Sequence, residues 1–163
     1  MDPVDHTPTE PSDYATLSAV YGALLAGTAY SARHRASIPG AELPALAAAS
    51  FALSKLVVHE KVESWVRRPF VDETRRKPKG RRLRYAVGEL LTCTRCTGAW
   101  SALGLVALRL HAPDAGRMVT TVLAASAGND LLQTTFKALC AYANAAEEAT
   151  PPAPPVQSVR SAA

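Results

Sequence analysis

Two thiols three residues apart, Cys93 and Cys96, are the side chains of this chain best suited to chemistry, and they stand in the stretch GELLTCTRCTGAWSALGLVALRL, Gly88 to Leu110. A Cys-x-x-Cys pair can exchange electrons as a dithiol, supply half of a zinc site, or serve only to open a helix. Here it directly precedes an apolar run, so the unpaired amides and dipole of a starting helix favour a thiolate, and Arg95 adds a positive charge between the sulfurs. No βαβ pattern of a thioredoxin-type enzyme surrounds the pair, and no second Cys-x-x-Cys completes four zinc ligands. No His follows Cys96, which excludes a c-type haem attachment. Structural, metal and redox roles therefore stay open for the pair.

Other residues join the pair only through topology. If the apolar runs alternate across a bilayer, His59 ends the second helix, Cys93 and Cys96 open the third and Cys140 ends the fourth, all on one face. Three sulfurs and one imidazole are a zinc set, so zinc is the one cofactor suggested, with scattered residues on a shared side as the plainer alternative. Asp130 is the remaining candidate, because a charge at membrane depth costs roughly 2.5 to 3.5 kcal/mol and is normally met by a partner or a wet cavity. Lys55 lies at comparable depth on the second helix, where it can reach the headgroups or pair with Asp130; a proton or ion relay is the sharper reading and a structural pair the blander one. No Gly-rich phosphate loop, G-x-S-x-G elbow or H-E-x-x-H helix is present, so a non-enzymatic role is expected.

The elements that must position these residues are apolar blocks separated by one crowded charged segment. Tyr14 to Ala32 carries no formal charge over 19 residues, enough helix to span a hydrocarbon layer of about 30 Å. Gly22 and Ala26, with Ala23 and Gly27, place small residues four apart, a spacing that suits helix–helix self-association in lipid. Pro39 and Gly40 make a turn, Pro44 suits a first helical turn, and a second helix is expected from about Leu43 to Val58, continuing as a wetter segment through Trp65. The third run, Thr97 to Leu108, reaches spanning length only if Arg109 snorkels outward; a re-entrant helix is the alternative. Pro113, Asp114 and Gly116 form a turn, and a fourth helix follows from about Arg117 to Ala138. The expected organisation is a flexible acidic tail over 1–13, a helical membrane domain over 14–140 with a basic loop at about 61–92, and a disordered Ala/Pro-rich tail over 141–163.

Of 18 Lys and Arg, ten lie between Lys61 and Arg84, so the net charge of +4 is largely the signature of one loop. Cations this dense are expected to be solvated rather than packed, with Pro69, Pro78 and Gly80 breaking any long helix. Basic segments beside a span are retained in the cytoplasm, which predicts both termini inside, in the cell membrane. The acidic start, Asp2 to Asp13, precedes the first apolar run without a basic residue and argues against a cleaved signal peptide; the three cysteines read as reduced thiols. The partners this implies are the lipid bilayer and its anionic headgroups. Nucleic acid is disfavoured, since only Trp65, Phe70 and Tyr85 accompany the cations and no nucleic-acid-binding fold surrounds them.

Two pieces carry a resemblance to a known family. LSKLVVHEKVESWVRRPFV, with Lys55, Glu60, Lys61, Val62, Arg67, Pro69 and Phe70, resembles a basic helix end, an acid and then Arg-x-Pro-Phe; ELLTCTRCTGAW, with Glu89, Leu90, Cys93, Cys96, Gly98 and Trp100, resembles a Glu-Leu-x-x-Cys-x-x-Cys-x-Gly-x-Trp block. Together, over about residues 15 to 140, they are similar to domain-of-unknown-function family 1360, a family of small bacterial membrane proteins. The resemblance implies a multi-pass membrane protein with no established activity. This chain departs from that pattern in carrying Lys55 and Glu60 where Arg and Asp are more usual, and His59 and Cys140 fall outside it.

The expected fold is all-α, a small multi-pass bundle of about four membrane helices with a basic cytoplasmic loop. The expected function is that of a structural or partner-binding membrane protein whose inner face carries Arg67, Pro69, Phe70 and the cysteine turn. A membrane thiol-redox or zinc module and a soluble helical interaction domain are the alternatives.

Overall fold

A computed structural model of the chain describes residues 7–35 and 37–148 and, of their side chains, those up to residue 145. Its first helix, α1 (Pro11–Ala32), begins three residues before the uncharged run, because Pro11 fits a first helical turn and Glu10 and Asp13 bond reciprocally across the helix start. The flexible tail expected over 1–13 is corrected to that extent. Asp13 is buried, and the carbonyl of Pro8 accepts from the Arg82 amide at 2.7 Å, so the described part of the tail is tied to the basic segment. Residues 1–6 lie outside the described residues.

A 3₁₀ turn, Gly40–Glu42, leads into α2 (Leu43–His59), with proline in its opening turn. The expected continuation through Trp65 does not form. Glu60 turns to an extended conformation (φ −79°, ψ 142°), and a separate short helix, α3 (Ser64–Arg67), folds back toward the helix it has left. The basic loop is a second correction. It holds α3, an antiparallel hairpin of β1 (Val71–Asp72) and β2 (Lys77–Pro78) in register Val71↔Pro78, and the ten-residue helix α4 (Leu83–Thr92). Asp72 organises the hairpin turn by accepting from the amides of Thr74 (3.0 Å) and Arg75 (3.2 Å). Gly88 lets α4 close on this hairpin: a Cβ there would lie 2.6 Å from the Phe70 carbonyl oxygen and 2.9 Å from Pro78 Cβ.

Cys93 then breaks helical geometry for one residue and α5 (Thr94–His111) follows. The turn into α6 (Pro113–Glu148) is tight, since a Cβ on Gly116 would meet Arg109 Cα at 2.5 Å. Helix α6 runs ten residues past its expected end, so residues 141–148 of the expected tail are helical, while 149–163 lie outside the described residues. The chain divides into two units, Met1–Gly128 and Asn129–Ala163. In the second, Leu131, Leu132, Phe136, Leu139 and Tyr142 are exposed along the helix.

Within the first unit α2 packs chiefly on α5. Leu46, Ala49 and Leu105 form the buried core, flanked by Ile38, Leu53, Val106, Leu123 and Ala124. Arg109 grips Glu42 with two hydrogen bonds of 2.7 and 2.8 Å and pins the start of α2 to the end of α5. Helix α1 joins through an edge-on contact of Tyr21 with Trp100 (5.2 Å between ring centres) and through Arg35, which donates to the Leu110 carbonyl at 3.1 Å. Among the described residues nothing outside the helix backbone lies within 4 Å of the place a Cβ on Gly22 or Gly27 would take.

Among the described residues the fold is all-α apart from one hairpin of two-residue strands. Among the described residues one helical stretch, Gly40–His59, is long and apolar enough to cross a membrane. Of the four expected spans, α2 is the one that meets this measure of length and composition. Alanine, glycine, serine and threonine dilute α1, Arg95 and Arg109 interrupt α5, and Asp114, Arg117, Asp130 and Lys137 interrupt α6.

Replacing Gly88 with alanine is expected to destabilise the first unit by about 1–3 kcal/mol through overpacking against the Phe70 carbonyl. Gly104→Ala, at a helical glycine with open space around it, is expected to be neutral or stabilising. Denaturant unfolding of both variants of the full chain checks the contrast.

Candidate functional site

The basic segment and the cysteine turn both lie against the end of α2 and the start of α5. A helix leaves its last carbonyls without intrahelical donors, and in α2 these are taken up by arginines that return from the basic segment. Arg67, only 3% exposed, donates through Nη1 to the carbonyls of Val57 and Glu60, the latter at 3.1 Å, and Arg76 donates to the His59 carbonyl at 3.3 Å. Glu73 balances the buried guanidinium with a parallel pair of 3.1 Å bonds from Nε and Nη2. The hydrogen bonds from Arg67 hold the Glu73 carboxyl below the usual carboxylate range, outweighing its partial desolvation. Cations at the negative end of α2 also suit its dipole.

The rest of the Arg-x-Pro-Phe segment is used through its main chain. The Pro69 carbonyl accepts two bonds from Arg84, at 3.0 and 2.6 Å, and the Phe70 carbonyl accepts from the Lys79 amide at 2.8 Å. A cavity of about 130 Å³ opens between this cap and the helix end, lined by Val58, His59, Arg67, Val71, Glu73, Arg76 and Thr92. His59 therefore sits among guanidinium groups, surroundings that oppose a bound cation. Glu60, exposed, contributes its carbonyl to the cap. Glu89 of α4 accepts from the Tyr14 hydroxyl, and Arg82 pairs with Glu10 and with Asp13 (3.4 Å), so α1 is fastened to the same segment.

Cys93 is the N-cap of α5, its Sγ accepting from the Cys96 amide at 3.4 Å. Thr97 fixes the turn by donating to the Leu90 carbonyl at 2.8 Å. Burial pushes the Cys93 thiol up. Hydrogen bonds from the Cys96 thiol and from the Cys96 and Arg95 amides, with the Arg95 charge, outweigh it and leave the group below the ordinary thiol value. Cys96 is pushed up to about 11, first by burial and then by its hydrogen bond to Cys93 and the charge on that sulfur. Gly98 keeps α5 close to Ser54 of α2, 3.8 Å from the position a Cβ would take, and Trp100 carries the contact to α1.

The structure thus brings together Glu60, Arg67, Pro69 and Phe70 in one cap, and Cys93 with Cys96 in one turn. It does not assemble the expected zinc set. Among the described residues no three His, Cys, Asp or Glu side chains gather where a metal could be held, so the donor set at the turn stops at two sulfurs. Cys140 is exposed in the second unit. Lys55 on α2 and Asp130 in the second unit are each half-buried and each engaged by another group. Glu73, Arg76, Tyr14 and the Glu42–Arg109 pair carry no signal in the sequence, since the six residues from Arg67 to Glu73 match no helical neighbour spacing.

The depressed Glu73 pKa gives a signed pH dependence. Its contribution is fully present above the unfolded-state value and is lost as pH falls through the folded-state value, hence on the acid side of the ordinary glutamate range. Glu73→Gln is expected to weaken the cap by about 1–2 kcal/mol at neutral pH and to flatten this acid limb. Proteolytic susceptibility of the basic segment against pH, in parent and variant, checks it.

Compared with known proteins, the chain matches the family model described as "Protein of unknown function (DUF1360)" over residues 45–136. No curated protein and no solved structure matches it. The matched residues take in α2, the arginine cap, the cysteine turn and α5, more than half of the chain. The chain belongs to the DUF1360 family.

Proposed function

We propose that this chain is a non-enzymatic integral membrane protein, a helical anchor that presents its arginine-capped segment at the cytoplasmic face of the cell membrane to anionic headgroups or a partner. The observation that carries the reading is the spacing of charge along α2. Glu42 with Arg109 stands at one end and the Arg67 cap at the other, separated by 17 helical residues. At 1.5 Å per residue that is roughly 25 Å, close to a hydrocarbon core of about 30 Å. Between the ends the surface is apolar and open: Val20, Leu24, Leu25 and Tyr30 on α1, with Leu43 and Phe51 on α2, are 45–65% exposed. Such a surface is favourable against lipid and unfavourable against water.

The cap suits the boundary. Trp65 (71% exposed) and Val62 (80%) project beside exposed Lys61, Arg68, Arg75, Lys77 and Arg81, an aromatic and basic combination that favours headgroup depth. Helix α1, α5 from Thr97, and α6 accompany α2 as further spans, with both termini inside. Their small and polar residues suit helix neighbours in a bundle, and the open Gly22 and Gly27 face suits a second copy.

An alkaline carbonate wash is expected to leave the protein in the membrane pellet. A Thr74→Cys probe, in a chain whose own cysteines are replaced by serine, is expected to stay unlabelled by an impermeant maleimide added outside intact cells. Recovery in the supernatant would support the soluble interaction domain instead, and labelling from outside would reverse the orientation.

A further inference from the structure

Cys93 and Cys96 occupy a turn built for more than a helix start. The Cys93 sulfur receives the Cys96 amide at 3.4 Å and the Cys96 thiol itself, so the two sulfurs already face each other. Both thiols are free and half-buried, while Thr94 and Arg95 between them are exposed, so a reagent can reach the turn. Cys93 is the N-cap and Cys96 the third residue of α5, an arrangement that turns the cap side chain back over the first turn and leaves a small local movement to disulfide geometry. The bond from Thr97 to the Leu90 carbonyl ties the turn to α4, and Cys96 lines, with Leu90, Tyr21 and Trp100, an open apolar groove of about 300 Å³. One sulfur is the helix cap with amides pointing at it, and the other lies behind it against apolar side chains.

We propose that Cys93 and Cys96 form a reversible dithiol–disulfide couple that exchanges with a soluble low-molecular-weight disulfide of the glutathione class. Cys93 loses its proton to solvent and its thiolate attacks one sulfur of the oxidant R–S–S–R, forming Cys93–S–S–R and releasing RS⁻. Cys96 then gives up its proton and attacks the Cys93 sulfur, forming Cys93–S–S–Cys96 and releasing the second RS⁻. The two protons end on the two leaving thiolates, so the dithiol and R–S–S–R become the intramolecular disulfide and two R–SH, with two electrons passed to the oxidant. Mixed-disulfide formation removes the charge on Cys93 that opposed ionisation of Cys96, so the second step becomes easier once the first has occurred. The couple is independent of whether the helices cross a bilayer, and it needs no third ligand.

The test uses the purified full chain with Cys140→Ser, equilibrated in buffers of reduced and oxidised glutathione and read by maleimide counting and intact mass. Both labels are expected to disappear together as the buffer becomes oxidising, with no glutathione retained. Adding Cys96→Ser is expected to trap one glutathione on Cys93, at least about tenfold faster than Cys96 is modified in the Cys93→Ser chain. Serine is itself a strong N-cap, so Cys93→Ser preserves the helix start, and unchanged far-ultraviolet helicity verifies that the variants are folded. Independent loss of the two labels, equal trapping at both positions, or two labels persisting in oxidised glutathione would overturn the proposal. So would a bound metal that blocks labelling until it is chelated.

Discussion

A helix that stops must find donors for its last carbonyls, and in this chain the stop of α2 is met by a guanidinium arriving from a separate element eight residues on. Arg67 is almost fully buried, bonded to Val57 and Glu60 on one side and to both oxygens of Glu73 on the other. Removing either set of partners leaves a charge or several carbonyls poorly satisfied, a penalty of about 1–3 kcal/mol with Glu73 itself one-third exposed. That asymmetry makes the cap a single cooperative object. The α2 terminus, the hairpin and, through Gly88 and Phe70, α4 all depend on one side chain keeping its place. The turn that orients Cys93 is the direct continuation of α4, so the geometry of the thiols rests on the same support.

The opposite end of α2 repeats the device with fewer parts. Glu42 and Arg109 close the contact of α2 with α5 through a bidentate pair, and Gly116 lets the next helix pass close to Arg109. Between two charged clamps lies an apolar interface of small area, with Ala49 fully buried and Leu46 and Leu105 beside it. A core that small, surrounded by open apolar side chains, is a poor stabiliser of a water-soluble domain. On the proposed membrane reading, lipid covers the remaining surface and close packing of small residues joins the helices.

The four long helices are legible in the sequence because uncharged runs are separated by Pro39, Gly40 and Pro113, and the placing of Cys93 just ahead of a helix follows from the apolar run behind it. Helix ends are less legible. The start of α1 is set by Glu10 and Asp13, acids that read as a solvated tail, and α2 ends at His59 because arginines more distant in sequence complete its carbonyls. The cap itself is hidden by composition: ten cations in 24 residues predict a hydrated loop, yet what orders it is donation from arginine to main-chain oxygen, which leaves no pattern of residue types. Arg67 stands out in the sequence only through its family motif, and Glu73 not at all. The zinc quartet fails for a related reason. Sharing one side of a bilayer is not proximity, and His59 is drawn in among Arg67 and Arg76 instead.

Hydrogen exchange on an Arg67→Lys chain tests the central role of this guanidinium most directly, since lysine keeps the charge but loses the planar fork that bridges carbonyls and carboxylate. Protection is expected to fall together in the last turn of α2 and across residues 68–92, by about ten- to a hundredfold for a loss of roughly 1–3 kcal/mol, with the Leu46–Ala49–Leu105 core unaffected. Unchanged protection in the basic segment, or loss there without loss at the end of α2, would contradict the account.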